Sequence, residues 1–400
     1  MRKFFLLLRA LPMRLYFYAL FSCLGFAGCE QHLYRRDEGR PARVAPAGPL
    51  PGPPLAAPVP PRPALAVPGI ALVINGQPHR LLVQARNDSA RPLSTVAYFA
   101  DDDRARQHPT LVRGFDGRFT FTLRDAAGQQ VFQRQLRKAD FAKVGTADIV
   151  VESAVAPPAF LGYSAALGAL VFTVDFAVPD SDDGFQAVLL LNLKGQVVRL
   201  SPGRGLSGGP DCDPALAHDG RAMLTNAEII RPGLPPLRLA RPGADLAGAF
   251  FLTDTTVLAV YDPGKNRPVR LPDGLLSYER RATPQQLQAP NAFVVSVANG
   301  QVLSKFHYHG YYEGMGYSVP HHCLPATRTC YLLDEKRGLY LLPAAAPGPP
   351  AVMRFAEMPR FVAPQWAQEV RFEMQGEDAQ FAFYADTLHP RRIRYQRLQD

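Results

Sequence analysis

Lysine is scarce in this sequence: Lys supplies 7 of the 44 basic residues and Arg the other 37. With Ala and Pro abundant, that bias reads as GC-rich coding rather than as an adaptation to a polyanion. No clustered basic face with interleaved aromatics is visible along the chain, so nucleic acid is not an expected partner. The densest basic run, Arg391, Arg392, Arg394 and Arg397, lies near the C-terminus and reads as a solvated tail. Long apolar runs are missing too. The stretch from Leu15 to Gly28 would reach only about 21 Å as a helix, short of the roughly 30 Å hydrocarbon core of a bilayer. Helical periodicity is confined to two short segments, Arg134–Lys143 and Thr283–Gln288, which excludes a helical bundle. Missing as well is any local pairing of acids, or of His with a carboxylate, that would announce a catalytic site. The reading therefore leans away from an enzyme and names no catalytic residue, metal or cofactor.

What the first residues do have is order. Arg2, Lys3, Arg9 and Arg14 are the only charges before Glu30, an apolar run follows from Leu15 to Phe26, and Ala27-Gly28 precede Cys29. A positive start, a short apolar stretch and a small-residue cleavage site are the parts of a signal peptide, and Met13-Arg14 opens a shorter version of the same leader. Phe26-Ala27-Gly28-Cys29 resembles the lipobox of bacterial lipoproteins, with Phe26 standing where that family usually has Leu. The resemblance covers this segment alone. It implies that residues 1–28 are removed, that Cys29 carries acyl chains such as palmitate, and that the protein is anchored at the cell envelope, on a membrane and face it does not specify. Removing residues 1–28 takes away four positive charges and leaves +5 of the net +9.

Of the five cysteines, Cys23 goes with the leader and Cys29 is the lipid site, which leaves Cys212, Cys323 and Cys330. Cys323 and Cys330 bracket the turn-like Pro325-Ala326-Thr327-Arg328, and an oxidising compartment favours a local disulfide between them. Closing so short a loop stabilises by about 2–3 kcal/mol on the chain-entropy account, and Cys212 is left as a free thiol.

Residues 29–68 read as a tether. Eleven of the thirty residues from 39 to 68 are Pro, which fixes φ, removes donors and gives a semi-rigid spacer of about 90 Å when extended. From Ile70 onward the pattern is strand and turn. Phe119–Leu123, Leu170–Phe176, Ala187–Leu193 and Phe293–Val297 are short, β-branched or aromatic, and bounded by Gly, Pro, Asn or Asp. The fold class is all-β. Asn192, Asn226, Asp262, Asn299 and Asp334 close strands at steps of 34, 36, 37 and 35 residues, and such recurrence means a β-propeller or a stacked β-array. Over residues 145–345 the chain resembles the broad class of exported bacterial propeller proteins, although a single Trp excludes the WD-type repeat. Units of seventy residues with two hairpins each are the alternative. The expected organisation is a leader (1–28), a tether (29–68), a β-rich part forming first blades or a small sandwich (69–144), and a propeller-like domain (145–400).

Several local patterns invite chemistry. Gly205-Leu-Ser-Gly-Gly-Pro210 resembles the box around the nucleophile of trypsin-like proteases, which would make Ser207 the nucleophile. Leu206 replaces that family's Asp, and no helix signal follows the serine as a hydrolase elbow requires. A Gly-rich loop is the better reading. Asp180-Ser-Asp-Asp-Gly184 has the carboxylates of a calcium loop, but Leu191 stands where a bidentate Glu is needed, so a hairpin turn is preferred. The segment 306–322 is the richest. It holds His307, His309, His321 and His322 beside Tyr308, Tyr311, Tyr312 and Tyr317, with Glu313 and several Gly. On a strand, His307 and His309 share a face, as a metal site needs. Burial between blades and a ligand-binding rim are the competing readings. The rim, with His307, His309, Tyr311 and Tyr312 as contacts for an organic ligand, is the functional expectation. The whole then reads as an envelope-anchored binding or scaffold protein for a glycan, peptide or partner protein. An envelope hydrolase or lyase with its site in a propeller mouth is the alternative.

The leader makes a direct prediction. Mass spectrometry of the membrane fraction should find an acylated Cys29 at the mature N-terminus, and an intact leader or an unmodified N-terminus elsewhere would refute it.

Overall fold

A computed structural model describes residues 69–100, 107–181, 183–205, 213–270, 276–313, 316–344 and 348–398. The leader, Cys29, the tether, Ser207 and Cys212 lie outside the described residues.

Among the described residues, six small antiparallel sheets of three to five strands follow one another, besides two separate hairpins. The first is formed by Ile70–Ile74, Gln77–Ala100, Gln107–Arg124 and Gln130–Arg137, and the second by strands between Ala154 and Gly205. The third runs from Ala215 to Arg238. The fourth contains Asp245–Thr253, Thr256–Asp262, Ala292–Ser296 and Val302–Phe306. Between its second and third strands the chain makes a separate hairpin, Lys265–Arg270 with Leu276–Arg281, and the helix Pro284–Gln288. The fifth is His321–Leu324, Thr329–Asp334, Gly338–Pro343 and Ala351–Arg354, and the sixth is Glu369–Gln375, Gln380–Asp386 and Ile393–Arg397. In the third to sixth sheets each strand pairs with the next strand of the same sheet in chain order.

Inner strands of the second, fourth and fifth sheets bury both faces, and period-two alternation assigns their side chains to two different cores. In Thr256–Asp262, Val257, Ala259 and Tyr261 pack with residues of the third sheet, while Leu258 and Val260 pack with those of the fifth. In Thr329–Asp334, Cys330 and Leu332 join the fourth-sheet core, and Tyr331 and Leu333 join the sixth. In Ala169–Ala177, Leu170, Phe172, Val174 and Phe176 meet Phe119, Phe121 and Leu123 of the first sheet, whereas Ala169 and Val171 meet Met223 and Ile230 of the third. The sheets therefore stack face to face in chain order. Among the described residues no hydrophobic cluster joins the sixth sheet to the first.

The strand readings at 119–123 and 170–176 lie within observed strands, and those at 187–193 and 293–297 run one residue past the ends of theirs. Thr283–Gln288 is the capped helix Pro284–Gln288, with Thr283 Oγ1 accepting from Gln286 N at 3.2 Å. Residues 134–143 are helical only in their second half, and as 3-10 rather than α-helix. They finish the strand Gln130–Arg137 and form the 3-10 turn Lys138–Lys143. Phe132 and Leu136, four apart, suit a helix face and equally one face of a strand, and pairing with Leu123 and Phe119 selects the strand. The helix Ala147–Glu152 escaped the sequence reading. It is tied to the 3-10 turn by buried Lys138, whose Nζ donates to Val151 O at 3.0 Å and Ser153 O at 2.8 Å.

The turns rest on one device. Asp262, Asp334 and Asp386 each end the second strand of their sheets and are buried. Each turns a carboxylate oxygen on the amides that follow: Gly264 N at 2.7 Å, Lys336 N and Arg337 N both at 3.1 Å, Leu388 N at 2.8 Å and His389 N at 3.0 Å. These are Asx turns, in which a side chain replaces the missing ladder partner. Asn192 and Asn299 do the same before the last strand of the second and fourth sheets. The steps of about 35 residues thus mix two places in the meander, because the inserted hairpin lengthens the fourth sheet. Cys323 and Cys330 face each other across the first two strands of the fifth sheet and are disulfide-bonded.

Two-faced burial predicts that neighbouring residues are equally intolerant. Leu332, with no exposed surface, and Leu333, 2% exposed, point into different cores. Leu332→Ala and Leu333→Ala should each cost about 2–5 kcal/mol in urea unfolding. In a sheet with one solvated face, one of the two would be nearly neutral, and that result would overturn the stacked arrangement.

Candidate functional site

The segment 306–322 carries the chain from the last strand of the fourth sheet to the first of the fifth, and it makes a short hairpin of its own, Tyr311–Glu313 with Gly316–Ser318. Its tyrosines divide by depth. Tyr308 is fully buried between the two sheets. Its hydroxyl donates to Leu333 O at 2.7 Å, and its amide donates to Asn291 Oδ1 at 2.8 Å. Asn291 in turn donates from Nδ2 to Tyr261 O at 3.0 Å, so one buried amide links two segments of the fourth sheet to the connection. Tyr317 is also buried. Its hydroxyl accepts from Gly310 N at 2.6 Å and donates to Tyr308 O at 3.3 Å, and burial pushes its pKa up to about 12. A Cβ at Gly310 would lie 2.1 Å from Ser318 O, so no larger residue fits without a shift.

Tyr312 is different. It is 45% exposed, yet its hydroxyl donates to Asp262 Oδ1 at 2.7 Å, and its ring meets Tyr317 edge to face at 5.1 Å between centroids. Tyr311 is half-buried beside it. The sequence reading of Tyr308 and Tyr317 as possible rim residues gives way to burial, while Tyr311 and Tyr312 reach the surface.

The four histidines do not converge. His307 and His309 meet edge to face at 4.3 Å. His321 stacks on Phe250 at 3.8 Å, toward the fourth sheet, and His322 stacks on Phe372 at 4.8 Å, toward the sixth. Successive residues of one strand point to opposite faces, which separates His321 from His322. Among the described residues no group of three or more His, Cys, Asp or Glu is arranged to hold a metal ion. The side chain of Glu313 lies outside the described residues.

A small cleft of about 40 Å³ opens beside the pair, lined by His309, Tyr311, Asp334, Glu335, Lys336 and Glu377. It has room for little more than one water-sized group, far below the 300–1,000 Å³ of a drug-sized pocket. Burial raises the carboxyl pKa of Asp334, and its Oδ2 has no hydrogen-bond partner, with Arg337 Nε 3.9 Å away. Burial, and then the neighbouring His307, lower the pKa of His309. No local signal marks Asp334, Glu335 and Glu377 as neighbours of this segment, since Glu377 comes from the sixth sheet's first turn. Larger hollows lie elsewhere, about 430 Å³ by Leu341, Leu388 and Pro390 and about 570 Å³ by Phe355, Phe381 and Tyr395. Neither contains a site residue expected from the sequence.

The Asp180–Gly184 stretch is the hairpin turn between Ala169–Ala177 and Gly184–Asn192, closed by Ser181 N on Val178 O at 3.3 Å.

No protein-family model matches the chain, and no curated protein matches it. Among solved structures it is similar to BamB from Moraxella catarrhalis, at 12% identity over 76% of this chain and 95% of that one, with a TM-score of 0.20. A similarity of that size carries no weight for fold or function.

The histidine environment predicts a pH effect. A histidine whose folded pKa lies below the 6.5 of the unfolded chain binds protons more readily when unfolded. Its contribution is therefore unchanged above about pH 6.5, declines as pH falls through the folded pKa, and then levels off. Asp334 acts with the opposite sign, in a window that begins near its unfolded value of 3.8. The difference between wild type and His309→Gln isolates the histidine: melting temperatures should fall more steeply between pH 7 and 5 in the wild type. Parallel curves would refute the half-buried placement of His309 beside His307.

Proposed function

We propose that the protein is a binding or scaffold module of the cell envelope, held to a membrane through acylated Cys29 and spaced from it by the Pro-rich tether. The order of residues in the leader and the density of Pro after it support the anchor. The short meanders, each stacked on the next, support a propeller-like array as the platform. The surface of the segment 306–322 is the ligand rim, with His307, His309, Tyr311 and Tyr312 as its contacts and a glycan or peptide as its ligand.

The observation that carries this reading is Tyr312. An exposed tyrosine ordinarily loses rotamer freedom on binding, at a cost of about 0.5–1.5 kcal/mol for an immobilised side chain. Here the ring is already fixed by Asp262 and Tyr317 while nearly half of its surface stays open. A rigid amphipathic ring set beside a small polar cleft is the composition of a recognition surface. The small volume of the cleft, about 40 Å³, favours gripping one polar group of a larger ligand over enclosing a substrate.

Tyr311→Ala combined with Tyr312→Ala tests it. The melting temperature should move by about 2 °C or less, as for surface substitutions in a domain of this size. Capture of envelope-derived glycan fragments or peptides should weaken about tenfold or more, the loss expected of aromatic contacts at the centre of an interface. Unchanged capture by the folded variant would remove the rim. A large fall in melting temperature would assign both rings to packing.

A further inference from the structure

The outer face of the first sheet gathers arginines that are far apart in the sequence. Strand register places Arg86 opposite Arg118 and Arg118 opposite Arg137, one row across three strands, and places Arg80 opposite Arg124 in a second row. Directly opposed side chains lie about 4.5–5.5 Å apart at Cβ, and like charges so placed oppose folding. The two rows are six residues apart on Gln77–Ala100, about 20 Å along the strand. Between them run two rows of Leu82, Thr122 and Gln133, and of Gln84, Thr120 and Gln135. The opposite face of the same strands, with Leu81, Phe119, Phe121, Leu123, Phe132 and Leu136, packs into the core.

Little balances this charge. Asp88 accepts from Arg118 at 2.7 and 3.2 Å and also lies 3.5 Å from Arg91. Asp140 accepts from the backbone of Arg137 at 2.8 Å, and Asp125 from Gln129 N at 2.9 Å. Arg124 donates to Gly128 O at 3.4 Å. Among the described residues, Arg80, Arg86 and Arg137 make no ion pair, and all three are exposed. A groove of about 440 Å³ crosses the face, lined by Gln84, Arg86, Arg118, Thr120, Gln135 and Pro157.

We propose that this face binds an anionic glycan, its carboxylate or phosphate groups held by the arginine rows and its hydroxyls by the Gln and Thr rows between them. Guanidinium forks suit such anions bidentately, and amide and hydroxyl side chains both donate to and accept from sugar hydroxyls. An extended saccharide fits a groove of this volume with Arg86 and Arg118 in its wall. A bilayer surface is less suited, because the large apolar side chains that register puts beside the arginine rows are only Leu82, Val73 and, at the bulge opposite Arg124, Val131, and among the described residues no aromatic ring stands between those rows. This site is separate from the tyrosine rim and does not depend on it.

The test uses the full chain in detergent, with polygalacturonate oligomers as the probe and neutral dextran as the control, by calorimetric titration at 50 and 200 mM salt. Polygalacturonate should bind, more weakly at the higher salt, and dextran should not. Arg86→Gln with Arg137→Gln should reduce affinity at least tenfold while leaving the melting temperature unchanged or raised, since like charges are removed. Gln84→Ala with Gln135→Ala should also weaken binding, and it decides the matter if the arginine variant fails to fold. Tyr311→Ala with Tyr312→Ala should bind polygalacturonate as the wild type does, which separates this site from the rim. No binding, an equal loss from Arg391→Gln with Arg392→Gln, or tighter binding to phosphatidylglycerol vesicles or single-stranded DNA than to the glycan would each overturn the proposal.

Discussion

Most of this fold follows from short strands too apolar to leave either face in water, the long strands Gln77–Ala100 and Gln107–Arg124 of the first sheet being the exception. Thr256–Asp262 is buried at every position, as is Thr329–Asp334. A three- or four-stranded meander of such strands has no stable existence alone, because each apolar face left wet forfeits about 25 cal/mol per Å². Stacking the next meander on that face removes the cost and creates a new exposed face. The array therefore grows in chain order until something ends it.

Two different devices do so. At the first sheet the outward residues are Arg, Gln and Thr, so the terminal face is simply wettable, as in the end units of repeat proteins. At the sixth sheet the chain covers itself. Phe361 stacks on Tyr384 at 3.9 Å, and the backbone from Pro359 to Phe361 bonds along the edge at Tyr395. Arg394 lies over Phe361 and Trp366 while its guanidinium grips Glu369 at 2.8 and 2.5 Å. Removing one partner of so buried a pair is costly, which makes it a clamp on the covering segment rather than a source of net stability. The residues Arg391–Arg397, which read in sequence as a solvated basic tail, thus split: Arg394 is structural, while Arg391 and Arg392 are exposed.

Much of this was legible. The β class, four strand cores and one capped helix follow from alternation and turn residues that act locally. Four of the five recurring Asn and Asp positions make Asx turns, which need only the residue and the amides after it, whereas Asn226 does not, its buried Oδ1 having no hydrogen-bond partner. What local signals cannot carry is which turn of a meander a given Asp closes. Asp262 and Asn299 belong to one sheet, yet their spacing equals that between sheets. Nor can one sequence show that Phe132 and Leu136 pair with Leu123 and Phe119 instead of lying on a helix. The candidate site shows the same division. Tyr311, Tyr312, His307 and His309 stood out by composition, whereas Asp262, Asp334 and Glu377 enter only through contacts across sheets.

The connections between sheets are where this architecture can hold function. A side chain on an inner strand is committed to one core or the other, so it has no freedom to meet a ligand. A connection faces a different demand, since its own backbone groups need partners as it crosses the seam. In 306–322 the buried share of that work goes to Tyr308, Tyr317 and Asn291, whose polar atoms reach backbone groups on both sides. Once those rings hold the seam, the hairpin between them is fixed from below, and Tyr312 is positioned without being buried. The same logic holds for the first sheet, whose inner face is fully used by the core and whose outer face, released from packing, can hold charge. Rigid support and free surface coincide at these two places, the seam and the open end.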